Sequence, residues 1–315
     1  MASLPARTTE HEISIAAPVR AVYDIIRDVT RWPQYFGPTV HVEYREHGGD
    51  SELIQIWATA NSQVKTWVSR RCLDPAAMRI RFRQQVSQPP VAAMSGEWIF
   101  RPVLPDSTHV LFRHEFSAVD DDPAAVAWIT AAVQENTSAE LAGLKAVAER
   151  LGTADEVTLS FSDSLDISGD VSDVYDFLRE AARWPGRLPH VASLELHEEE
   201  PDIQLMAMAT RTADGATHDT YSIRVCLPPD RIVYKQTRTP RLMSAHTGRW
   251  VLSRTQSGTR ATSRHVVIID RAAVPDVLGT SASLADARQF VRDALGRNSR
   301  TTLACARDYA EQRGK

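Results

Sequence analysis

Val19-Arg20-Ala21-Val22-Tyr23-Asp24, followed by Arg31-Trp32-Pro33, returns 152 residues later as Val171-Ser172-Asp173-Val174-Tyr175-Asp176, followed by Arg183-Trp184-Pro185. Farther on, Ser95-Gly96-Glu97-Trp98 meets Thr247-Gly248-Arg249-Trp250 at the same spacing, and Arg113-His114 meets Arg264-His265 one residue short of it. A spacing held over such a stretch marks an internal duplication, which decides the architecture before any single element does. Two copies of one domain are expected, residues 1–152 and 153–315, joined near Gly152-Thr153-Ala154-Asp155. Thr66-Trp67 and Cys72-Leu73 find their counterparts in Thr220-Tyr221 and Cys226-Leu227.

Inside the first copy, Glu12-Ile13-Ser14-Ile15 alternates as a strand does, and Pro18 opens a segment whose Val22, Ile25, Ile26 and Val29 recur at helical spacing. Trp32-Pro33 interrupts that helix and Gly37-Pro38 ends a short second one, because proline lacks an amide hydrogen and restricts the residue before it. From Val40 to Ala118 the pattern alternates, punctuated at Gly48-Gly49, Asp74-Pro75, Pro89-Pro90 and Pro105-Asp106, which predicts about six antiparallel strands. Asp122-Pro123 then suits an N-cap and first helical position, and Val126, Ile129, Val133, Leu141, Leu144 and Val147 follow on one helical stripe. The expected class is α+β: a curved antiparallel sheet gripping a long C-terminal helix, with a cavity between them.

The length of 315 residues suffices for two domains with their own cores, and 43% hydrophobic with 24% charged residues is a globular composition. No apolar run is long enough to span a bilayer, and Arg7, Glu10, His11 and Glu12 break up any signal-peptide core, so a cytoplasmic location is expected. Cys72, Cys226 and Cys305 have neither disulfide nor zinc spacing and read as reduced thiols. A formal charge of −4 gives no field to attract nucleic acid. With no H-E-x-x-H, Walker or dinucleotide motif, no metal, nucleotide or redox cofactor is expected.

In Thr66-Trp67-Val68-Ser69-Arg70-Arg71 the two-residue period puts Trp67, Ser69 and Arg71 on one face and Val68 with Arg70 on the other. By itself this suits an outward polar face as well as an aromatic, a hydroxyl and a guanidinium aimed into a cavity. Resemblance favours the second. The chain resembles the aromatase/cyclases of bacterial type II polyketide synthases, in the Bet v 1/START-like helix-grip superfamily. It does so through Ala17-Pro18, Arg31-Trp32-Pro33-Gln34-Tyr35-Phe36, Trp67-Val68-Ser69-Arg70-Arg71, Met94 with Trp98, Glu115-Phe116 and Asn136-Thr137-Ser138. The duplication specifically resembles the two-domain members. The resemblance implies a carrier-protein-bound poly-β-ketone already reduced at its ninth carbon, an aldol closure between the seventh and twelfth carbons, and loss of water to the first aromatic ring.

That chemistry assigns expected roles. Trp32, Trp67, Phe82, Met94 and Trp98 are wall candidates for an apolar cleft that folds a flexible chain in advance of reaction. Arg71, always protonated, suits oxyanion stabilisation and hydrogen bonding to the departing hydroxyl, and Ser69 suits holding a water or the same oxygen. Tyr35 and His114 are the types available to relay a proton, and Asn136 falls on the apolar helix stripe. Arg79, Arg81 and Arg83 alternate with Met78, Ile80 and Phe82 and are expected in solvent, as an ordinary solvated strand face with docking of an acidic acyl carrier protein as the alternative. The resemblance implies a second basic residue inside the cavity on that strand, but Gln84 and Gln85 stand there.

In the second copy, matching Cys226 to Cys72 puts Tyr221, Ile223 and Val225 where Trp67, Ser69 and Arg71 stand, with Arg224 on the opposite face. His218 and His246 are alternative polar residues there. The main chemistry is therefore expected in the first copy. A non-catalytic carrier or sensor of a hydrophobic ligand, and a structural subunit that merely orders the chain, remain as alternatives, since fold does not imply function.

Overall fold

Along Arg7–Ile15 (β1) every second residue is turned from solvent, the period of a strand with one covered face. Pro18 leads into α1 (Val19–Arg27), whose Val22, Tyr23, Ile25 and Ile26 are buried. The Asp28 carboxylate accepts from the Thr30 amide at 3.1 Å and starts the turn into α2 (Trp32–Tyr35), where Pro33 occupies the first turn and its missing donor costs nothing. Six strands follow: β2 (Thr39–Glu46), β3 (Ser51–Ala60), β4 (Gln63–Asp74), β5 (Arg79–Val86), β6 (Val91–Leu104) and β7 (Ser107–Ala118). They form an antiparallel meander closed by β1 on β7, in the order β1-β7-β6-β5-β4-β3-β2. Helix α3 (Pro123–Ala148) begins where Asp122 accepts from the Ala125 amide at 2.8 Å, and it buries Ile129, Ala132, Val133, Thr137, Leu141, Leu144 and Ala148 against the concave face.

The computed structural model describes residues 5–211 and 215–313, which fall into two compact units, Met1–Gly152 and Thr153–Lys315. The second unit repeats the first with β8 (Thr158–Ile167), α4 (Val171–Arg179), α5 (Trp184–Arg187), β9 (Val191–Glu200), β10 (Ile203–Arg211), β11 (Thr217–Leu227), β12 (Arg231–Arg238), β13 (Met243–Thr255) and β14 (Gly258–Ile269). Its sheet order is β8-β14-β13-β12-β11-β10-β9, the same meander. An added short helix, α6 (Val274–Leu278), precedes the long α7 (Leu284–Arg313). Both units are helix-grip domains. The repeated Gly96 and Gly248 have a packing reason, since a Cβ there would lie 2.5 Å from the Phe82 ring and 2.3 Å from the Tyr234 ring. Among the described residues no helix is long and apolar enough to cross a membrane.

The pairing corrects the expected match between β4 and β11. Ile56 faces Trp67, whereas Met208, its equivalent, faces Thr220; Cys72 faces Arg81, whereas Val225 faces Val233. The β10–β11 connection is thus one residue longer and the β11–β12 connection one shorter, so β11 alone slips by one. Because side chains alternate, that slip exchanges the two faces. Thr220, Ser222 and Arg224, not Tyr221, Ile223 and Val225, occupy the places of Trp67, Ser69 and Arg71. Hydroxyl and guanidinium are therefore present in both units, and the Cys72–Cys226 match is a coincidence.

The long helices are matched by their ends: Glu149 Oε1 accepts from the Ala16 amide at 2.9 Å, and Glu311 Oε1 accepts from the equivalent Ser168 amide at 3.0 Å. This equates Asn136-Thr137 with Asn298-Ser299, and Glu140 with Thr302.

Candidate active site

The first unit encloses a cavity between β3, β4, β6 and α3. Ile56, Ala58, Trp67 and Met94 form its sheet side, Ile129, Ala132 and Val133 its helix side, and Trp32 also lines it. Polar groups are few: Lys65, Gln84, His114, Asn136, Thr137 and Glu140 are the principal ones. Such a surface is apolar enough to fold a carbon chain and sparse enough in donors to orient it.

Six of the expected residues meet here: Trp32, Trp67, Gln84, Met94, His114 and Asn136. The Asn136 amide donates to the Thr59 carbonyl at 2.8 Å, which fixes its side chain, and the Gln84 amide lies 3.7 Å from the Met94 sulfur. Gln85 is exposed, as are Arg79, Arg81 and Arg83, and Arg79 pairs with Glu97 at 3.4 Å.

The other expected residues lie elsewhere. Trp98 is buried and stacked on Phe112 with ring centroids 3.5 Å apart, and Phe82 packs on Phe112 and His114; both belong to the core behind the cavity wall. The Tyr35 hydroxyl accepts from Arg31 at 3.2 Å, outside the cavity lining. Ser69 and Arg71 point inward as parity requires, but both are only 2% exposed and neither lines the cavity. The Ser69 hydroxyl has no partner among the described residues. Arg71 forms an ion pair with Glu52 at 2.8 Å, donates to the Ile26 carbonyl at 2.8 Å and lies 5.1 Å over the Trp32 ring. Its donors close the end of α1 and its charge is neutralised by a buried carboxylate, so it is not a free cation facing substrate. Arg224 repeats the arrangement, donating to the Leu178 carbonyl at 2.6 Å and lying 4.8 Å over Trp184, with Gln204 Oε1 at 2.7 Å in place of the carboxylate. A contact set kept in both units is the mark of a structural pin for the Trp-Pro turn.

Two titratable groups do reach the cavity. His114, on β7, is 7% exposed beneath the Phe82 and Phe112 rings; burial, helped by nearby His11, pushes its pKa down to about 3. Its imidazole is neutral at ordinary pH, and Nδ1 has no partner among the described residues. Glu140, one turn beyond Asn136 on α3, lines the cavity half-buried, and desolvation there pushes its carboxyl up to about 8. It is protonated at pH 7. A protonated carboxyl and a neutral imidazole therefore line one largely apolar space; Glu140, with a pKa near the working pH, suits proton donation, while the burial of His114 leaves its ring a weak acceptor. Glu140 escaped the sequence reading although its spacing from Asn136 and Leu144 puts it on the inward stripe.

Residues 6–149 and 167–293 each match a family described as polyketide cyclase/dehydrase and lipid transport. Over 98% of this chain and 97% of the relative, the sequence is 46% identical to the granaticin polyketide synthase bifunctional cyclase/dehydratase of Streptomyces violaceoruber. The chain belongs to the polyketide cyclase/dehydratase family. A second such cyclase/dehydratase, that of the actinorhodin polyketide synthase of Streptomyces coelicolor, is 43% identical over 93% of each chain. Among solved structures, the di-domain ARO/CYC BexL is 50% identical with a TM-score of 0.85, covering 97% of this chain and 99% of its own. The di-domain ARO/CYC StfQ of the steffimycin biosynthetic pathway is 36% identical, with the same TM-score and coverage. The protein is thus a polyketide cyclase/dehydratase with a duplicated helix-grip domain.

Proposed function

We propose that the first unit receives a carrier-protein-bound poly-β-ketone reduced at its ninth carbon, closes the bond between the seventh and twelfth carbons by aldol addition, and assists the dehydration that makes the ring aromatic. The observation that carries this reading is that Glu140 and His114 both line one cavity whose walls are mostly apolar. The His114 imidazole takes a proton from a methylene flanked by two carbonyls. The resulting enolate carbon attacks the facing ketone, a carbon–carbon bond forms, and the Glu140 carboxyl donates its proton to the developing alkoxide. Water then leaves as the new hydroxyl is protonated and a second methylene proton is removed, the two groups exchanging roles. Asn136, held by Thr59, orients a carbonyl beside them. Trp32 and Trp67 limit the folded shapes that fit, and this supports a directing role in ring closure rather than proton transfer alone. Arg71 enters as a positioning residue for Trp32, replacing the oxyanion role suggested by resemblance. The three cysteines are free thiols, which suits a reducing cytoplasm.

The test is reconstitution with a minimal synthase and a ketoreductase, with products resolved by chromatography and mass spectrometry. Wild-type protein is expected to yield one first-ring regiochemistry, and the Glu140→Gln and His114→Gln variants mainly spontaneously closed shunt products. An unaltered product pattern from both variants would return the protein to the class of non-catalytic carriers.

A further inference from the structure

The open end of the cavity holds a cation that the acid–base chemistry above does not use. Along the inward face of β4, Lys65 and Trp67 line the cavity, while Ser69 and Arg71 are buried beyond it. Lys65 pairs with Ala58, close to the β3–β4 turn at Asn61-Ser62. Around it stand Gln88, Pro89 and Pro90 from the β5–β6 connection and Trp128 from the second turn of α3. A hairpin tip, a loop and the start of a helix gather where the sheet parts from the helix, so this is the mouth. The Asn61 amide donates to the Trp128 carbonyl at 2.9 Å, tying the hairpin to the helix. The Lys65 ammonium lies 5.9 Å from the Trp128 ring and, among the described residues, has no carboxylate partner. Glu140 does not supply one, being neutral at pH 7. At the matching place in the second unit, opposite Thr210, stands His218, whose pKa burial keeps below its ordinary value.

We propose that Lys65 is the subsite for the phosphodiester of the phosphopantetheine arm on which an acyl carrier protein presents the chain. The inference rests on the carrier-bound reading of the substrate. A chain delivered as a thioester leaves its arm in the mouth while its ketones lie inside, and the arm's one fixed charge is an anion. An unpaired ammonium on a flexible four-carbon stem meets such a phosphate as a point charge, without demanding one orientation.

The experiment compares two stable probes, a hydroxynaphthyl thioether of pantetheine and the same thioether carrying a methyl phosphodiester, by calorimetry on the full chain. Wild-type protein should bind the phosphodiester about three- to tenfold more tightly, the range of a partly exposed charge-assisted contact, and salt should erase the preference. Lys65→Gln should bind both probes alike, and Lys65→Arg should restore most of the difference. A phosphate preference that survives in Lys65→Gln, or none in the wild type while both probes bind, overturns the Lys65 subsite and leaves the cavity reading intact. If neither probe binds the wild type, the carrier-bound reading itself falls, and the subsite with it.

Discussion

The two units place different side chains at the same points of one scaffold, and the histidine that both retain shows what separates them. In the first unit His114 lines the cavity with Nδ1 unpartnered. In the second, His265 is bound on every side: Tyr234 and His246 lie 3.0 Å from Nδ1, and Ser299 and Ser263 lie 2.7 and 3.0 Å from Nε2. Met94 is replaced by His246, Phe82 by Tyr234, Thr137 by Ser299 and Glu140 by Thr302, so at these matched positions the second unit carries a hydrogen-bonded polar network around His265 and a hydroxyl in place of the Glu140 carboxyl. A group whose hydrogen bonds are all made stabilises a fold, whereas His114 keeps one buried ring nitrogen unpartnered among the described residues. The first unit is thus favoured as the reactive one because of Glu140 and a His114 that lines the cavity, and not because it alone keeps a serine and an arginine on β4.

The sharpest way to break this contrast is to remove the acid. Glu140→Gln should lower formation of the directed ring by about 10²–10⁴-fold, the usual worth of a positioned general acid. Because the Glu140 pKa lies near 8, wild-type turnover should fall as pH rises through that value, and the fall should vanish in Glu140→Gln. His114→Gln should also cost roughly a hundredfold or more, while His265→Gln should affect stability first. Equal losses of turnover from the two histidine variants, with both proteins folded, would end the asymmetry.

The paired arginines separate structural cost from chemistry. Arg71→Met strands the Glu52 carboxylate in the interior and should destabilise the first unit by about 3–5 kcal/mol. Arg224→Met strands the Gln204 amide oxygen and the Leu178 carbonyl but no charge, and should cost about 1–3 kcal/mol. Thermal and denaturant unfolding measure both, and adding Glu52→Leu to Arg71→Met should recover most of the loss. If the double variant regains stability but not product regiochemistry, Arg71 acts on the reaction by more than positioning Trp32.

The smallest expected effect is on acid stability. Burial lowers His114 in the first unit, and His190, His218, His246 and His265 in the second, with His265 at about 4. These folded pKa values lie below the ordinary 6.5, so the unfolded chain binds more protons. Stability is then full above pH 6.5 and is lost as pH falls from there toward 4. Amide exchange in β13 and β14 should accelerate over that range more than in β6 and β7. His246→Met, which copies the first unit's residue, should narrow the gap.

How much of this was legible in the sequence follows from the range of each interaction. The duplication, the six-strand meander and the Asp122-Pro123 helix start are written in neighbouring residues, through two-residue and 3.6-residue periods and proline's missing donor. Parity even turned Trp67, Ser69 and Arg71 to the correct face of β4. Parity does not say how deep along a strand a cavity reaches, nor what waits across the ladder. Glu52 meets Arg71 only because β3 and β4 register those two residues, and that pairing turned an expected catalytic cation into a buried ion pair. The one-residue slip of β11 was equally hidden, since two compensating connection lengths leave the flanking repeats at their original spacing. Glu140 lay on the readable helix stripe, yet only the sheet closing over α3 removes its water and holds its proton. The chain's local patterns therefore determined the grip and its repetition. Which polar groups remain unpaired inside it was decided by tertiary contacts, because satisfaction and desolvation depend on partners that sequence spacing does not bring together.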